Sequence, residues 1–295
     1  MINQKCLEEK MFEHITLTGF ADEIDSGLDK QIEVIHKLGM AYIEMRGVNG
    51  KELVAYPLNE VRNIKKCLEE NGIRLSSIGS PIGKIYITDD FEPHMELYKR
   101  TVEIAHIMET PYIRIFSFYI PKGEEPDNYK GKVMAQLGRF VDYANNNNII
   151  LLHENEKDIY GDIAVRCKEI MEQFYGKHFR AVFDFANFIQ CHQDTLQAYE
   201  MLKQYVAYVH VKDALWKDGS VVPAGMGDGH LEDILRMMKK AGYQGFLSLE
   251  PHLSEFVGFH NLENGTDKKQ IERKLTGEEA FTLAHQSLIK ILERL

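Results

Sequence analysis

The sequence has few cysteines and no long apolar run. Its four cysteines, Cys6, Cys67, Cys167 and Cys191, stand singly among 295 residues, without a Cys-x-x-Cys pair. Scattered thiols argue against a disulfide scaffold and against a cysteine-based zinc site, and they are typical of a reducing compartment. No segment approaches the ~20 apolar residues of a membrane span, and the first residues lack the apolar core of a signal peptide. We therefore expect a soluble cytoplasmic protein.

Basic residues are also in deficit. Lys and Arg number 35 against 45 Asp and Glu, which gives a formal net charge of −10. Nucleic acids and anionic membranes are bound through clustered cations, so this balance argues against both as partners. A hydrophobic fraction of 44% and a charged fraction of 27% are ordinary for a globular protein. Disorder, collagen and a coiled coil are therefore excluded.

Eight short apolar runs, each bounded by turn residues, recur along the chain. Strands that are buried on both faces have this pattern. The predicted strands are 15–20, 41–45, 73–78, 112–118, 149–154, 180–184, 206–211 and 246–250. A segment of helical periodicity follows each of them, the first with Ser26 as a predicted N-cap and the last with a Thr276/Glu279 capping box. Eight such units predict a single (β/α)8 TIM barrel, with a doubly wound open sheet as the alternative.

No linker rich in Ser, Gly or Pro divides the chain, so we expect one domain. Residues 1–13 are predicted as an N-terminal extension, and residues 14–295 as the barrel. The charged stretch 263–274 is predicted as a solvated insertion in the last loop. Glycines at 225, 227 and 229 follow a polar loop rather than a strand, which favours a flexible loop over a nucleotide-binding turn.

Potential metal ligands close the last four predicted strands. These strands end at Glu154, Asp184, His210 and Glu250. Taken singly, each residue fits a strand end that faces solvent or forms an ion pair. Together they converge on one mouth, because the carboxyl ends of barrel strands meet there, and an unpaired charge at a buried strand end is costly. Three carboxylates and one imidazole suit Mn²⁺, Mg²⁺, Co²⁺ or Zn²⁺.

A divalent cation at such a mouth has a definite chemical use. It polarises a carbonyl and an adjacent hydroxyl together, which stabilises the enediolate that forms when the carbon between them loses a proton. Sugar isomerisation requires this step.

The strand ends HEN, DFAN, HVKD and LEPH, in this order, resemble those of the xylose isomerase-like barrel family. That family contains sugar epimerases and isomerases, and also endonuclease IV. The similarity runs from Gly19 to the final helix and includes Pro223-Ala-Gly-x-Gly-Asp and Gly242-Tyr-x-Gly-Phe. The resemblance implies a (β/α)8 barrel with a small-molecule sugar or sugar derivative as substrate. Because relatives are often dimers or tetramers, it also makes a homo-oligomer an expectation.

The resemblance further implies roles for the four strand-end residues. Glu154, Asp184, His210 and Glu250 would bind one divalent metal ion, with Mn²⁺ expected first and Co²⁺, Mg²⁺ or Zn²⁺ as alternatives. Glu154 and Glu250 would also be catalytic, one removing a proton from the substrate carbon and the other returning it on the opposite side.

Three positions depart from the pattern of ketose epimerase relatives. Where those relatives often have a histidine after the strand-six aspartate, this chain has Asn187. Where they often have an arginine after the strand-seven histidine, it has Trp216, and where they often have a second glutamate after strand five, it has Tyr160. The resemblance therefore implies the metal site but not the ketohexose pocket.

Polar side chains near other strand ends complete the predicted site. Lys212 and Asp213 follow His210 closely and are expected to orient it. His153 precedes Glu154, so on a regular strand it points away from the metal, and it contacts substrate only if the strand end turns. The predicted substrate contacts are Glu44, Arg46, Lys84, Arg114, His153, Asn187, Lys212, Asp213 and His252.

The leading functional hypothesis is a metal-dependent sugar isomerase or epimerase that abstracts a proton next to a carbonyl. A lyase that eliminates a leaving group from a 3-oxo-glycoside uses the same site and is the first alternative. A non-catalytic sugar-binding barrel is an alternative of another class. A phosphodiesterase similar to endonuclease IV would need a histidine-rich metal cluster and a basic groove, and the sequence displays neither.

Overall fold

The structure, a computed structural model, describes residues 15–254 and 275–295. The predicted N-terminal extension 1–13 and the predicted insertion 263–274 lie outside these ranges. Within them, no helix is both long enough and apolar enough to cross a membrane.

Eight parallel strands form one sheet that curls into a barrel. Hydrogen-bonded neighbours follow the order β1-β8-β7-β6-β5-β4-β3-β2, and a parallel bridge between Phe20 and Glu44 connects the ends of β1 and β2. The predicted single (β/α)8 barrel is confirmed, and the open sheet is not the fold. The strands are β1 (Ile15–Gly19), β2 (Tyr42–Met45), β3 (Arg74–Ile78), β4 (Tyr112–Ile115), β5 (Ile150–Glu154), β6 (Phe179–Asp184), β7 (Val206–Val211) and β8 (Gly245–Leu249).

Helices surround this sheet and connect its strands. They are α1 (Leu28–Lys37), α2 (Leu58–Glu70), α3 (Phe91–Met108), α4 (Lys130–Asn147), α5 (Ala164–Phe174), α6 (Phe185–Gln190), α7 (Thr195–Leu202), α8 (Leu231–Lys240) and α9 (Gly277–Leu292). Two short hairpins decorate the loops, Gly47–Val48 with Lys51–Glu52 and Asp213–Ala214 with Val221–Val222. The sequence pattern did not predict α6 or the hairpins, because each element is too short to show a recognisable periodicity of apolar residues.

Element ends follow local hydrogen bonding and backbone geometry. β4 ends three residues before the predicted Phe118, whose φ of 67° is incompatible with an extended strand. The predicted Ser26 cap is wrong, since α1 begins after Gly27 and the Leu28 N–H donates to Asn49 Oδ1 at 3.1 Å. The predicted capping box of α9 is confirmed.

Side chains of the strands alternate between the helices and the barrel axis. On the outer face of β6, the Phe183 ring lies 5.1 to 5.9 Å from the rings of Phe185, Phe188 and Tyr199. A small apolar layer fills part of the interior and consists of Leu152, Val182 and Tyr208. Toward the carboxyl ends of the strands, the interior becomes polar, and this is where the candidate site lies.

Candidate active site

Four potential metal ligands meet at the carboxyl ends of four neighbouring strands. Glu154 and Asp184 end β5 and β6, His210 lies next to the end of β7, and Glu250 follows β8. Strand register sets them level, because Asp184 pairs with His210 across the sheet. One ligand atom from each residue lies within 4.8 Å of the others, and all four side chains are buried. The structure thus brings together the four predicted residues, which we call the ligand set.

Basic side chains pair with each carboxylate of the ligand set. Lys212 Nζ lies 3.1 Å from Glu250 Oε2 and 3.3 Å from Asp184 Oδ2, and Arg114 Nη1 lies 3.1 Å from Glu154 Oε2. Burial raises the pKa of Asp184 to about 7; Lys212 opposes this rise, and the charges of Glu154 and Glu250 add to it. Burial also acts to raise the pKa of Glu250, but Lys212, His252 and His210 together outweigh it and hold that pKa well below its usual range. Such crowding of carboxylates favours an added cation.

The ligand set fits a divalent metal ion. Asp184 Oδ1 accepts the Asn187 backbone N–H at 2.7 Å. Asp184 Oδ2 is buried and accepts no hydrogen bond from the described residues, although the Lys212 ammonium lies near it. A buried acceptor without a donor is unfavourable, and a cation would satisfy it. Oxygen ligands with one imidazole are common to Mn²⁺, Co²⁺, Mg²⁺ and Zn²⁺.

Carboxylates face both ring nitrogens of His210. Nδ1 lies 2.8 Å from Glu154 Oε1 and 3.6 Å from Glu250 Oε2, whereas Nε2 lies 3.2 Å from Glu44 Oε2. The Ser248 hydroxyl donates to the same Glu44 oxygen at 2.6 Å. Burial acts to lower the pKa of His210, but Glu154 and Glu44 outweigh it and raise that pKa well above its usual value. By these distances, Nδ1 is the ring nitrogen that faces the ligand set, and Nε2 is the one that faces Glu44.

Glu154 is fixed from both sides. Arg114 Nη1 approaches one of its carboxylate oxygens, and Arg114 Nη2 donates to the Ser80 carbonyl at 3.3 Å. The Asn187 side-chain amide lies 3.4 Å from the other oxygen and donates to the Asn155 carbonyl at 2.9 Å. Arg114 and Asn187 thus both contact a ligand-set carboxylate, and their predicted contact with substrate stays a prediction.

A second buried group adjoins the first and shares Glu250 with it. Ligand atoms of Glu23, Glu250 and His252 lie within 4.8 Å of one another. Arg46 lies 3.3 Å from both glutamates and donates from Nε to Asp22 Oδ2 at 2.8 Å. The His252 backbone N–H donates to Glu23 Oε2 at 2.8 Å, with a His252 φ of 48°. Because the Arg46 charge already stands beside these carboxylates, the group is held by ion pairing.

Asp213 has a role other than the predicted one. Its carboxylate accepts backbone N–H groups from Ala214, Gly225, Gly227 and Gly229 at 2.9 to 3.0 Å. These bonds anchor the loop after β7 instead of orienting His210 or contacting substrate. They also correct the prediction of a flexible loop, because one carboxylate ties its three glycines together.

The side chains of His153 and Lys84 contact residues outside the ligand set. The buried His153 ring packs against Phe179, 6.3 Å between centroids, and burial lowers its pKa to about 3. Its side chain follows the strand alternation away from the barrel axis, as a regular strand predicts, and does not turn toward the ligand set. Lys84 Nζ lies 3.0 Å from Glu156 Oε2 and 4.3 Å from the centre of the Phe116 ring. Lys84 is therefore an ion-paired residue of the mouth.

The other departures from the epimerase pattern lie away from the ligand set. The Tyr160 hydroxyl donates to Glu169 Oε2 at 2.6 Å, toward α5. Trp216 is 42% exposed, and its ring centroid lies 5.7 Å from that of His192. Asn187 alone of the three contacts a ligand-set side chain among the described residues.

Sequence reasoning missed Glu23, Glu156 and Ser248. A signal existed for Glu23, which follows β1 directly in the segment GFADE and obeys the same strand-end rule. Glu156 lies two residues beyond Glu154, at which β5 ends, so the same strand-end rule could have indicated it. Ser248 gave no signal, because a serine within a strand has no distinctive pattern.

Comparisons with known proteins agree with this architecture. The profile of the xylose isomerase-like TIM barrel family matches residues 32–273. A comparison with curated protein sequences found no match. Among solved structures, a D-allulose 3-epimerase from Methylomonas sp. in complex with D-allulose has a TM-score of 0.72 and 16% identity, covering 96% of this chain and 98% of that chain.

Two further structures are similar. The 3-keto-D-glucoside 4-epimerase from E. coli, in its apo form, has a TM-score of 0.65 and 16% identity over 94% of this chain and 98% of that chain. The IOLI protein with a bound zinc atom has a TM-score of 0.72 and 16% identity over 95% of this chain and 98% of that chain. At such identities the likeness shows the fold. Because the family profile spans most of the sequence, the chain belongs to the xylose isomerase-like TIM barrel family.

Proposed function

We propose that the protein is a divalent-metal-dependent isomerase or epimerase of a keto sugar or sugar derivative. One observation carries the proposal, the buried ligand set of Glu154, Asp184, His210 and Glu250 in a barrel of this family. TIM barrels place their catalytic groups at this end of the strands. Fold relatives named as sugar epimerases, one of them with D-allulose bound, support a sugar as the substrate class.

The ligand set would hold the metal ion. Mn²⁺ is the first expectation, and Co²⁺, Mg²⁺ and Zn²⁺ are the alternatives that the same donors accept. A fold relative with bound zinc supports a divalent ion. When bound, the cation polarises a carbonyl and offsets the negative charge that develops as the neighbouring carbon loses its proton.

Glu154 and Glu250 are proposed to move that proton. Glu154 comes from β5 and Glu250 from the end of β8, with β6 and β7 between them in the sheet, so they approach the site from different sides. Arg114 lies 3.1 Å from Glu154 and 3.9 Å from Glu250, which lets one guanidinium orient both carboxylates. One carboxylate would accept the proton from carbon, and the other, protonated at the start of the step, would deliver its own proton to the opposite face, a contribution of about 10²–10⁴-fold.

Donor groups beside the two glutamates are proposed to bind the hydroxyls of the substrate. Lys212 and His252 lie next to Glu250, and Asn187 lies next to Glu154. These donors would lie on both sides of the reacting carbon. They would fix the orientation in which the C–H bond faces a carboxylate.

The first test measures metal content and proton exchange. Elemental analysis of freshly purified protein should find a stoichiometric divalent ion. Chelation should abolish deuterium incorporation from solvent into a panel of keto sugars that includes D-allulose, and added Mn²⁺ or Co²⁺ should restore it. Protein that contains no such ion, and gains no exchange when metal is added, would contradict the proposal.

A lyase acting on a 3-oxo-glycoside is the second candidate. It is compatible with the departures from the ketohexose pattern, since Tyr160 turns toward Glu169 and Asn187 stands where those relatives often have a histidine. The likeness to a 3-keto-D-glucoside 4-epimerase supports a 3-oxo-glycoside as a probe. Release of the free aglycone would identify the lyase, a new stereoisomer of the intact glycoside would identify the epimerase, and binding without reaction would favour a non-catalytic barrel.

A further inference from the structure

Glu44 is a buried carboxylate inside the barrel, at the carboxyl end of β2. Its Oε2 atom faces His210 Nε2 at 3.2 Å and accepts the Ser248 hydroxyl at 2.6 Å. Its Oε1 atom is buried and accepts no hydrogen bond from the residues that the structure describes. Burying a carboxylate is unfavourable unless its partners compensate. His210 and Ser248 are therefore among the partners that stabilise the charge of Glu44.

Hydroxyl groups continue the polar region below Glu44. Ser76 Oγ lies 2.9 Å from Tyr208 Oη and 2.8 Å from Thr18 Oγ1, and all three residues are buried. Bulky apolar side chains normally fill this part of a TIM barrel. Here polar side chains from β1, β2, β3, β7 and β8 form hydrogen bonds with one another in the barrel interior, and Glu44 among them reaches His210.

We propose that Glu44 is a positioning residue that holds His210 with Nδ1 toward the ligand set. The hydrogen bond made by one ring nitrogen decides which nitrogen carries the lone pair. With the Nε2–H held by Glu44, the proton that the ring must lose to bind a metal ion is the one on Nδ1, which would leave the Nδ1 lone pair toward Glu154 and Glu250. A carboxylate in this place also makes the imidazole a stronger ligand. This inference rests on the proposed metal site, and it gives Glu44 a role other than the predicted substrate contact.

Metal affinity is the first readout. Glu44→Gln keeps the size of the side chain and removes its charge. Glu156→Gln is the matched control, because Glu156 is a carboxylate of the same mouth that pairs with Lys84 outside the ligand set. Competition of metal-free protein with a chromogenic chelator measures Co²⁺ binding. We expect Glu44→Gln to weaken it about 10- to 100-fold and Glu156→Gln to change it less than about 2-fold.

The orientation of the ring is the second readout and needs no metal. In metal-free protein with ¹⁵N-labelled histidine, the Nε2–H of His210 should give a proton signal protected from solvent exchange. His210→Asn assigns the signal, and Glu44→Ala should abolish it. If Glu44→Ala does not fold, Glu44→Gln replaces it in this measurement. The Nε2–H signal of His210 should then shift, because the acceptor has lost its charge.

The two readouts separate failure of this inference from failure of the proposed function. Unchanged Co²⁺ affinity in a folded Glu44→Gln variant, or an unchanged Nε2–H signal, overturns the positioning role while the metal site stands. Wild-type protein that binds no Co²⁺, Mn²⁺ or Zn²⁺ overturns the proposed function and the metal role of His210. In that case the Nε2–H signal still decides whether Glu44 orients the ring.

Discussion

The two faces of the barrel strands differ in chemistry, although their residues alternate along the same chain. On β7, Val209 and Val211 belong to the hydrophobic core, while His210 between them faces carboxylates at both ring nitrogens. On β6, Phe183 packs among aromatic rings, and Asp184 beside it belongs to the ligand set. The outer face removes apolar surface from water, and the inner face concentrates charge. Outward-facing residues thus stabilise the fold, and their inward-facing neighbours form the candidate site. Single substitutions should therefore affect either stability or activity, but not both.

Substitutions on the inner face of the barrel should reduce activity and leave the fold almost unchanged. Glu154→Gln removes one proposed acid–base group and keeps the side-chain volume. We expect solvent deuterium exchange into the substrate to fall about 10²–10⁴-fold, with Glu250→Gln acting alike. Mass spectrometry of the recovered substrate measures the exchange.

Glu156→Gln is the control for this prediction, since it changes a neighbouring carboxylate outside the ligand set. Circular dichroism should show the same secondary structure in all three variants. Full exchange in both Glu154→Gln and Glu250→Gln would refute their acid–base roles.

Substitutions on the outer face of the strands should reduce the stability of the fold and leave metal binding almost unchanged. Phe183→Ala leaves a cavity among the rings of Phe185, Phe188 and Tyr199, and such truncations destabilise by about 3–5 kcal/mol. Denaturant unfolding measures the loss. The affinity of the folded variant for Co²⁺ should match that of wild type; a tenfold change would show that the two faces are coupled.

The outer layer also contains a buried histidine whose titration should affect stability. His94 on α3 accepts the Gly83 N–H at 2.7 Å, and burial lowers its pKa from 6.5 to about 4. Protonation therefore favours the unfolded chain, so its effect is absent above pH 6.5 and grows as the pH falls toward 4. The expected loss is about 3 kcal/mol. Unfolding free energies across this range measure it, and His94→Gln should flatten the dependence; an equal slope in both proteins would contradict the assignment.

Metal binding should stabilise the protein through the inner face alone. A ligand that binds only the folded state at 100 times its dissociation constant stabilises by about 2.7 kcal/mol. Thermal unfolding with and without Mn²⁺ measures the gain. It should persist in Phe183→Ala and vanish in Asp184→Asn. A gain that survives in Asp184→Asn would place the ion elsewhere.

Much of the fold was predictable because its signals are local. Apolar runs and helical periods located the eight strands and their helices, and the rule for strand ends located Glu154, Asp184, His210 and Glu250. Both depend on residues within one element. The Thr276 capping box is likewise a short-range pattern.

The roles of the supporting residues were not predictable, because they depend on partners distant in sequence. Asp213 was expected beside His210, but its partners are the amides of a loop up to 16 residues later. Glu44 was expected to contact substrate, but it meets a histidine 166 residues away. Periodicity carries no information about such pairings, since they are fixed by how strands are arranged around the barrel.

The anchored loop after β7 has a consequence for protein engineering. A Cβ atom at Gly227 would lie 2.4 Å from Asp213 Oδ1, and one at Gly229 would lie 2.7 Å from the same oxygen. The loop and its anchor therefore form one transferable unit. A graft of residues 223–229 into another barrel would need the aspartate at the end of the preceding strand as well, and random libraries at this mouth should leave these glycines unvaried.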